Sequence, residues 1–308
     1  MKISVVSPVY GAEKIVRELV KQLLQVLKEF GCDYEIVLIE DCGPDNSWRE
    51  IESLCQSNSK IKGVKLSRNF GQHYAISAGL KIASGDYVVV MDCDLQDNPN
   101  YIPELLSKAR LGNDIVYTIK KSREHSFIKN FTTYIFNLIF NWLIDNKSRR
   151  SSDLVGSYSM LSRKVVDSFN EFKDYRRHYL MVLRWLGYQS TYVTVEHNKR
   201  YSGKSSYSFS KLVSHAIDGI TSQSDKLLRM TVVLGGVLSL FSFIGGIYVI
   251  VISFFSSFQQ GWASLFVLIL FVAGLIILSI GISGIYIGKI FEQTKERPLF
   301  IIDKTLNL

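Results

Sequence analysis

From Met230 to Gly288 the chain carries no Asp, Glu, Lys or Arg, and no other feature limits its folding so sharply. An uncharged apolar stretch of that length is too long for one bilayer crossing and about right for two. Residues 230–254 and 263–288 read as helices flanking a short connection that holds Gln259, Gln260, Gly261 and Trp262. At about 1.5 Å per residue, each would reach roughly 37 Å, enough for a hydrocarbon core of about 30 Å with some tilt. Lys211, Lys226 and Arg229 precede the first helix, and Lys289, Lys295 and Arg297 follow the second. The positive-inside rule then puts both ends in the cytoplasm and the uncharged connection outside. Met1–Val9 runs straight into a strand pattern, which leaves no room for a cleavable signal. The expectation is a multi-pass protein of the cell (inner) membrane, with two spans and both termini cytoplasmic.

The chain before Met230 is polar and holds most of the +8 net charge. With 47% apolar residues, 18 Phe, 16 Tyr and only 5 Pro, it is not a disordered sequence. Cys32, Cys42, Cys55 and Cys93 form no CxxC pair, so free thiols in a reducing compartment are expected. Ile3–Val9, Tyr34–Ile39, Ile61–Leu66, Tyr87–Met91 and Asp114–Ile119 read as strands, with helices near 13–29, 46–56, 72–83 and 100–111. Val- and Ile-rich runs with little alternation suit a sheet covered on both faces. The pattern predicts an α/β domain with a doubly wound, mostly parallel sheet, whose ligands collect at the carboxyl ends of the strands. No GxGxxG follows the first strand and no GxxxxGK[ST] occurs, which removes the main support for a nicotinamide enzyme or a P-loop ATPase. His73, His125, His178, His197 and His215 share no spacing and read as structural or surface residues.

Two further stretches are amphipathic. Residues 127–144 set Phe127, Phe131, Tyr134 and Trp142 on one helical face, with Lys129 on the other. Residues 207–228 repeat the idea with Phe209, Leu212, Ile217 and Leu228. Both read as helices lying in the membrane interface, although an ordinary core-facing helix also accounts for 207–228.

The strongest local chemistry is Asp92-Cys93-Asp94-Leu95-Gln96-Asp97, directly after a buried-type run. In an extended strand end, residues i and i+2 share a side. Asp92 and Asp94, with a Gln96 carbonyl, would then offer hard oxygen donors to Mg2+ or Mn2+, an ion that also binds substrate phosphates. Asp97-Asn98-Pro99 has a plainer account as a helix cap.

Ser7–Tyr10, Glu40–Ser47, Ser67–Gly71, Ser77–Lys81, Gly85–Asp97 and Arg200–Phe209 together resemble the family-two inverting glycosyltransferases of GT-A type. Within these the chain is most similar to the membrane-anchored polyprenyl-phosphate sugar transferases, such as dolichyl-phosphate mannose synthase and bacterial undecaprenyl-phosphate glucosyltransferases. The resemblance implies a GT-A core at 1–125, the rest of the catalytic domain at 126–229, two membrane helices at 230–288 and a cytoplasmic tail at 289–308. It implies that Pro8, Tyr10 and Glu13 line the nucleotide pocket, that Asp41 meets the base, and that Asp92 faces ribose and phosphates. It further implies that Asp94 and Gln96 hold the metal, and that Arg200, Ser205 and Lys129, with Lys120 and Arg123, receive the lipid phosphate. Asp92, Asp94 and Arg200 are the residues expected to carry catalysis. The implied partners are a UDP-sugar, a polyprenyl phosphate and the bilayer, with no nucleic acid and a homo-oligomer, plausibly a tetramer.

Two departures from the family pattern bear on function. Cys42-Gly43 replaces the usual Gly-Ser after the base-contacting Asp. Ser157 and Ser159 stand where relatives often carry Asp and Arg. A serine is no general base without a partner, which favours an acceptor already ionised, unless Asp153 folds back to supply the carboxylate. A glycolipid or polysaccharide synthase and a non-catalytic nucleotide-sugar-binding membrane protein are the alternatives.

Overall fold

The computed structural model describes residues 1–120, 155–175, 177–196, 226–253 and 261–308. The expected interface helix at 127–144 and residues 207–225 of the one at 207–228 lie outside the described residues, as do Asp153, Arg123, Lys129, Arg200 and Ser205. The chain divides into two units, one of Met1–Glu124, Arg149–Ser205 and Arg297–Leu308, the other of His125–Ser148 and Ser206–Glu296.

The first unit begins with alternating strands and helices: β1 (Lys2–Val9), α1 (Val16–Glu29), β2 (Asp33–Glu40), α2 (Ser47–Ser57), β3 (Ile61–Leu66), α3 (Gln72–Ile82), β4 (Tyr87–Val90), α4 (Ile102–Arg110) and β5 (Ile115–Lys120). It continues with β6 (Val155–Ser162), α5 (Arg163–Glu171), α6 (Tyr179–Leu186) and β7 (Ser190–Val195). The eight-stranded sheet has the order β7-β5-β6-β4-β1-β2-β3-β8, where β8 is Ile302–Leu306. β1 pairs in parallel with β2 and β4, β2 with β3, and β5 with β7, whereas β6 and β8 pair antiparallel to their neighbours. The sheet is therefore mixed, with its central strands parallel as the sequence predicts.

Burial explains the parallel core. Alternate residues of each central strand feed opposite cores: Val5, Ile36 and Leu38 pack with Leu19, Leu23 and Ile51 on one face, while Val6, Val37 and Ile39 pack with Ile76, Leu80 and Phe169 on the other. Residues buried on both sides show continuous apolar runs instead of alternation. α3 lies especially close to the sheet because Gly79 has no side chain. A Cβ there would overlap Val6 and Ile39.

The predicted tail 289–308 holds an unexpected element. Ile302–Leu306 adds to the sheet beside β3, in the register Gly63↔Leu306 and Val64↔Thr305. A mostly exposed five-residue strand has no periodic signal of its own, and its conformation comes from pairing.

In the second unit, residues 230–253 of the first expected span lie in α7 (Lys226–Ser253) and the second expected span lies in α8 (Trp262–Thr294). Among the described residues one stretch, Phe271–Thr294, is long and apolar enough to cross a membrane; its mean hydropathy is 2.2 and its most apolar window is not buried.

Candidate functional site

A cavity of about 350 Å³ opens at the carboxyl ends of β1, β2, β3 and β4, lined by Pro8, Val9, Tyr10, Asp41, Asn69, Gly71, Gln72, Asp92, Cys93 and Asp94. This is where a doubly wound sheet gathers ligands, and the volume suits a small organic ligand. Pro8, Tyr10, Asp41, Asp92 and Asp94, all singled out from sequence, meet here. Asn69 and Gly71 belong to the Ser67–Gly71 motif, whereas Gln72 was missed; the crossing from β3 into α3 brings them to the end of β4.

Asp41 is buried at 3% exposure, and both of its oxygens accept backbone hydrogen bonds, Oδ1 from the Phe70 amide and Oδ2 from the Gly71 amide, each at 2.8 Å. Burial raises its pKa, and the two amides oppose that rise. Gly71 itself has a φ of 101°, a conformation that favours glycine, and it caps the start of α3. Asp41 thereby fixes the loop that closes one side of the cavity. Its remaining lone pairs can still accept a donor from a ligand.

Glu13 has a different place from the one expected. Its carboxylate accepts from the Asn46 backbone amide at 3.2 Å and from Asn46 Nδ2 at 3.4 Å. The Glu13 amide in turn donates to Asp45 Oδ2 at 2.9 Å, and the Ala12 amide to Ser47 Oγ at 2.9 Å. Glu13 therefore stitches the β1–α1 loop to the β2–α2 loop and is not among the residues lining the cavity. Glu40, beside Asp41, accepts from the Gly43 amide through Oε1, while its buried Oε2 has no hydrogen-bond partner among the described residues. Burial raises its pKa as well.

At the end of β4, Asp92 Oδ1 accepts from Gln72 Nε2 at 2.6 Å, and Asp94 Oδ1 accepts from the Gln96 amide at 3.1 Å. Leu95 takes a φ of 60° to close that turn. Gln96 thus reaches Asp94 through its backbone, and it is not one of the residues lining the cavity. Cys93 lies between the acids. Burial, reinforced by the charges of Asp92 and Asp94, pushes its thiol up to about 12, so it stays protonated at neutral pH. Among the described residues no group of three or more His, Cys, Asp or Glu could hold a metal unaided. The Asp92 and Asp94 carboxylates are hard donors lining one cavity, and they fit an Mg2+ or Mn2+ that takes its other oxygens from a diphosphate and water.

Ser159 is fully buried. Its hydroxyl donates to the Ser157 carbonyl at 3.0 Å, so the Tyr179 hydroxyl, 2.7 Å away, is the donor to Ser159 Oγ. Burial raises the pKa of Tyr179, which keeps that proton in place. This pair knits β6 to α6 and offers no base. Of the expected phosphate-binding residues, Lys120 ends β5. Finally, His73 and His178, unrelated by spacing, pack ring against ring at a tilt of 46°, with centroids 4.1 Å apart.

Comparison with known proteins matches residues 4–169 to Glycosyl transferase family 2. An uncharacterized glycosyltransferase of Synechocystis sp., sll0501, is 34% identical over 98% of this chain and 95% of its own length. The uncharacterized glycosyltransferase YkcC of Bacillus subtilis is 30% identical over 99% and 94%. Among solved structures, glucosyl-3-phosphoglycerate synthase from Mycobacterium tuberculosis, in complex with Mn2+, UDP and phosphoglyceric acid, superposes with a TM-score of 0.53. That likeness has 16% identity over 74% of this chain and 78% of that one.

Proposed function

The chain belongs to glycosyl transferase family 2, and on that footing we propose that it moves a sugar, with inversion, from a UDP-sugar to a polyprenyl phosphate at the cytoplasmic membrane face. The observation that carries this reading is the cavity itself. Its lining carboxylates, among the described residues, are Asp41, Asp92 and Asp94, and each has an assignment on the donor side. Asp41 meets the base, Tyr10 gives it a half-exposed ring to stack on, and Asp92 and Asp94 face the diphosphate. UDP and Mn2+ in the mycobacterial synthase support a donor of this kind.

The acceptor follows from what the site does not need. An alcohol must lose a proton as it attacks, whereas Ser157 stands where relatives often carry the carboxylate, and Ser159 is committed to Tyr179 and the Ser157 carbonyl. A lipid phosphate arrives ionised. One of its oxygens attacks the anomeric carbon, the bond from that carbon to the β-phosphate oxygen breaks, and the electron pair leaves with UDP. No proton moves. Asp92 and Asp94 would hold a divalent ion, which would supply positive charge toward the leaving diphosphate. Lys120, Arg123, Lys129, Arg200 and Ser205 are the proposed acceptor-phosphate residues.

Chain topology supports two membrane crossings over one. Residues on both sides of the α7–α8 pair belong to the same sheet, since β7 precedes it and β8 follows it. A single crossing would separate them, so if Phe271–Thr294 spans the bilayer, a second crossing must precede it. At about 1.5 Å per residue, the 33 residues of α8 reach roughly 50 Å, so its charged last turns extend beyond the hydrocarbon.

A donor and acceptor screen tests the proposal. Purified protein is given UDP- and GDP-sugars with Mn2+ or Mg2+, and either undecaprenyl phosphate or diacylglycerol. Transfer from a UDP-sugar to undecaprenyl phosphate is the expected result. Product on diacylglycerol alone overturns the acceptor, and UDP binding without transfer to any acceptor overturns the activity.

A further inference from the structure

We propose that Gln72 is a positioning residue for Asp92, holding its carboxylate in place without cancelling the charge that a divalent cation needs. The inference rests on the donor-site reading above. Gln72 lines the same cavity as Asp92, and its Nε2 lies 2.6 Å from Asp92 Oδ1. The carboxylate can only accept, so the amide donates.

The backbone beneath Gln72 is fixed from two directions. Behind it, the Phe70 and Gly71 amides are held by Asp41. Ahead of it, His73 packs at a tilt against His178, and the Tyr74 hydroxyl donates to the Tyr175 carbonyl at 2.9 Å. Three consecutive residues of the first turn of α3 thus reach three separate partners: Asp92 at the end of β4, His178 before α6, and the backbone of the 172–178 connection. A side chain carried on so constrained a turn presents its amide at a fixed point. Two of the cavity's acids, Asp41 and Asp92, are linked in this way through three consecutive residues, Phe70, Gly71 and Gln72.

The choice of donor has a physical reason. A Lys or Arg at this distance would also orient Asp92, yet its charge would compete with a cation for the same carboxylate. A neutral amide orients the carboxylate without adding a positive charge of its own beside it. Gln72 is exposed, so replacing it leaves the core intact.

The test uses the full-length protein in detergent and reads UDP binding by calorimetry across an Mn2+ titration, with the thermal midpoint as a fold control. Gln72→Met keeps the length of the side chain and removes the donor. It is expected to weaken UDP binding in saturating Mn2+ by about tenfold, the scale of one hydrogen bond to a charged group, with an unchanged thermal midpoint. Gln72→Lys restores a donor and adds a charge. It is expected to recover UDP binding at saturating Mn2+ while raising the Mn2+ concentration for half-maximal binding by several-fold. UDP binding by Gln72→Met as tight as in the parent protein overturns the inference, and so does an unshifted Mn2+ requirement in Gln72→Lys. Failure of the parent protein itself to bind UDP would instead overturn the donor-site reading.

Discussion

At the residue scale, the two acids after β4 and one acid far from them make opposite demands on charge. Asp94 lines the cavity with one oxygen on the Gln96 amide. Asp94→Asn keeps the shape and removes the charge, so turnover should fall about a hundredfold or more while the circular dichroism spectrum and thermal midpoint stay put. Unchanged turnover would place the metal elsewhere. Glu35 is a structural counterpart, 2% exposed on β2 with Lys2 and Lys62 at 2.7 and 3.0 Å. Burial by itself would raise its pKa, but Lys2, Ser4, the Ser84 amide and Lys62 outweigh it and bring the carboxyl from an ordinary 4.5 to about 2. The folded pKa lies below the unfolded one, so this stabilisation is complete above pH 4.5 and is lost as the pH falls toward 2. Between pH 7 and pH 3 the parent protein should lose about 2 kcal/mol that Glu35→Gln does not lose, as read by denaturant unfolding at the two pH values. Equal losses in both proteins would remove Glu35 as the cause. Single residues were legible in sequence where their chemistry was local: Pro8, Tyr10, Asp41, Asp92 and Asp94 all reach the cavity. Glu13 was misread because its partner Asn46 comes from another loop, and Gln72 escaped notice because its partner lies 20 positions along the chain.

At the element scale, legibility followed burial. β1 to β4 announce themselves through Val and Ile because helices cover both of their faces. β6 reads Val-Gly-Ser-Tyr-Ser-Met-Leu-Ser, and its serines are satisfied only by the fold, as in the Ser159–Tyr179 bond. β8 is held largely by what it meets. Leu306 packs against the core, and Asn307, at a φ of 58°, donates through Nδ2 to the carbonyls of Cys55 and Ile61 at 2.8 and 2.9 Å. Asn307 therefore joins the strand's end to the end of α2 and the start of β3. Asn307→Ala should destabilise the protein by about 1–2 kcal/mol, which calorimetry would read as a fall of roughly 3–6 °C in thermal midpoint. No change in midpoint would mean that β8 is fixed by its ladder alone.

At the scale of the whole molecule, the sequence of units matters more than either unit alone. The sheet unit is interrupted by the helical one and resumes at Arg297. With two crossings, the connection before α8 and the sheet face opposite compartments. A Gly261→Cys variant in intact cells should react with a membrane-impermeant maleimide added outside, whereas the exposed native Cys42 should react only after the cells are opened. Labelling of both thiols from the same side would exclude the two-span arrangement. Because β8 is translated after α8, the outer edge of β3 stays bare while the two apolar helices are being made. Completion of the sheet then waits upon synthesis of those helices, so a chain stalled within them would be left with an open, adhesive border.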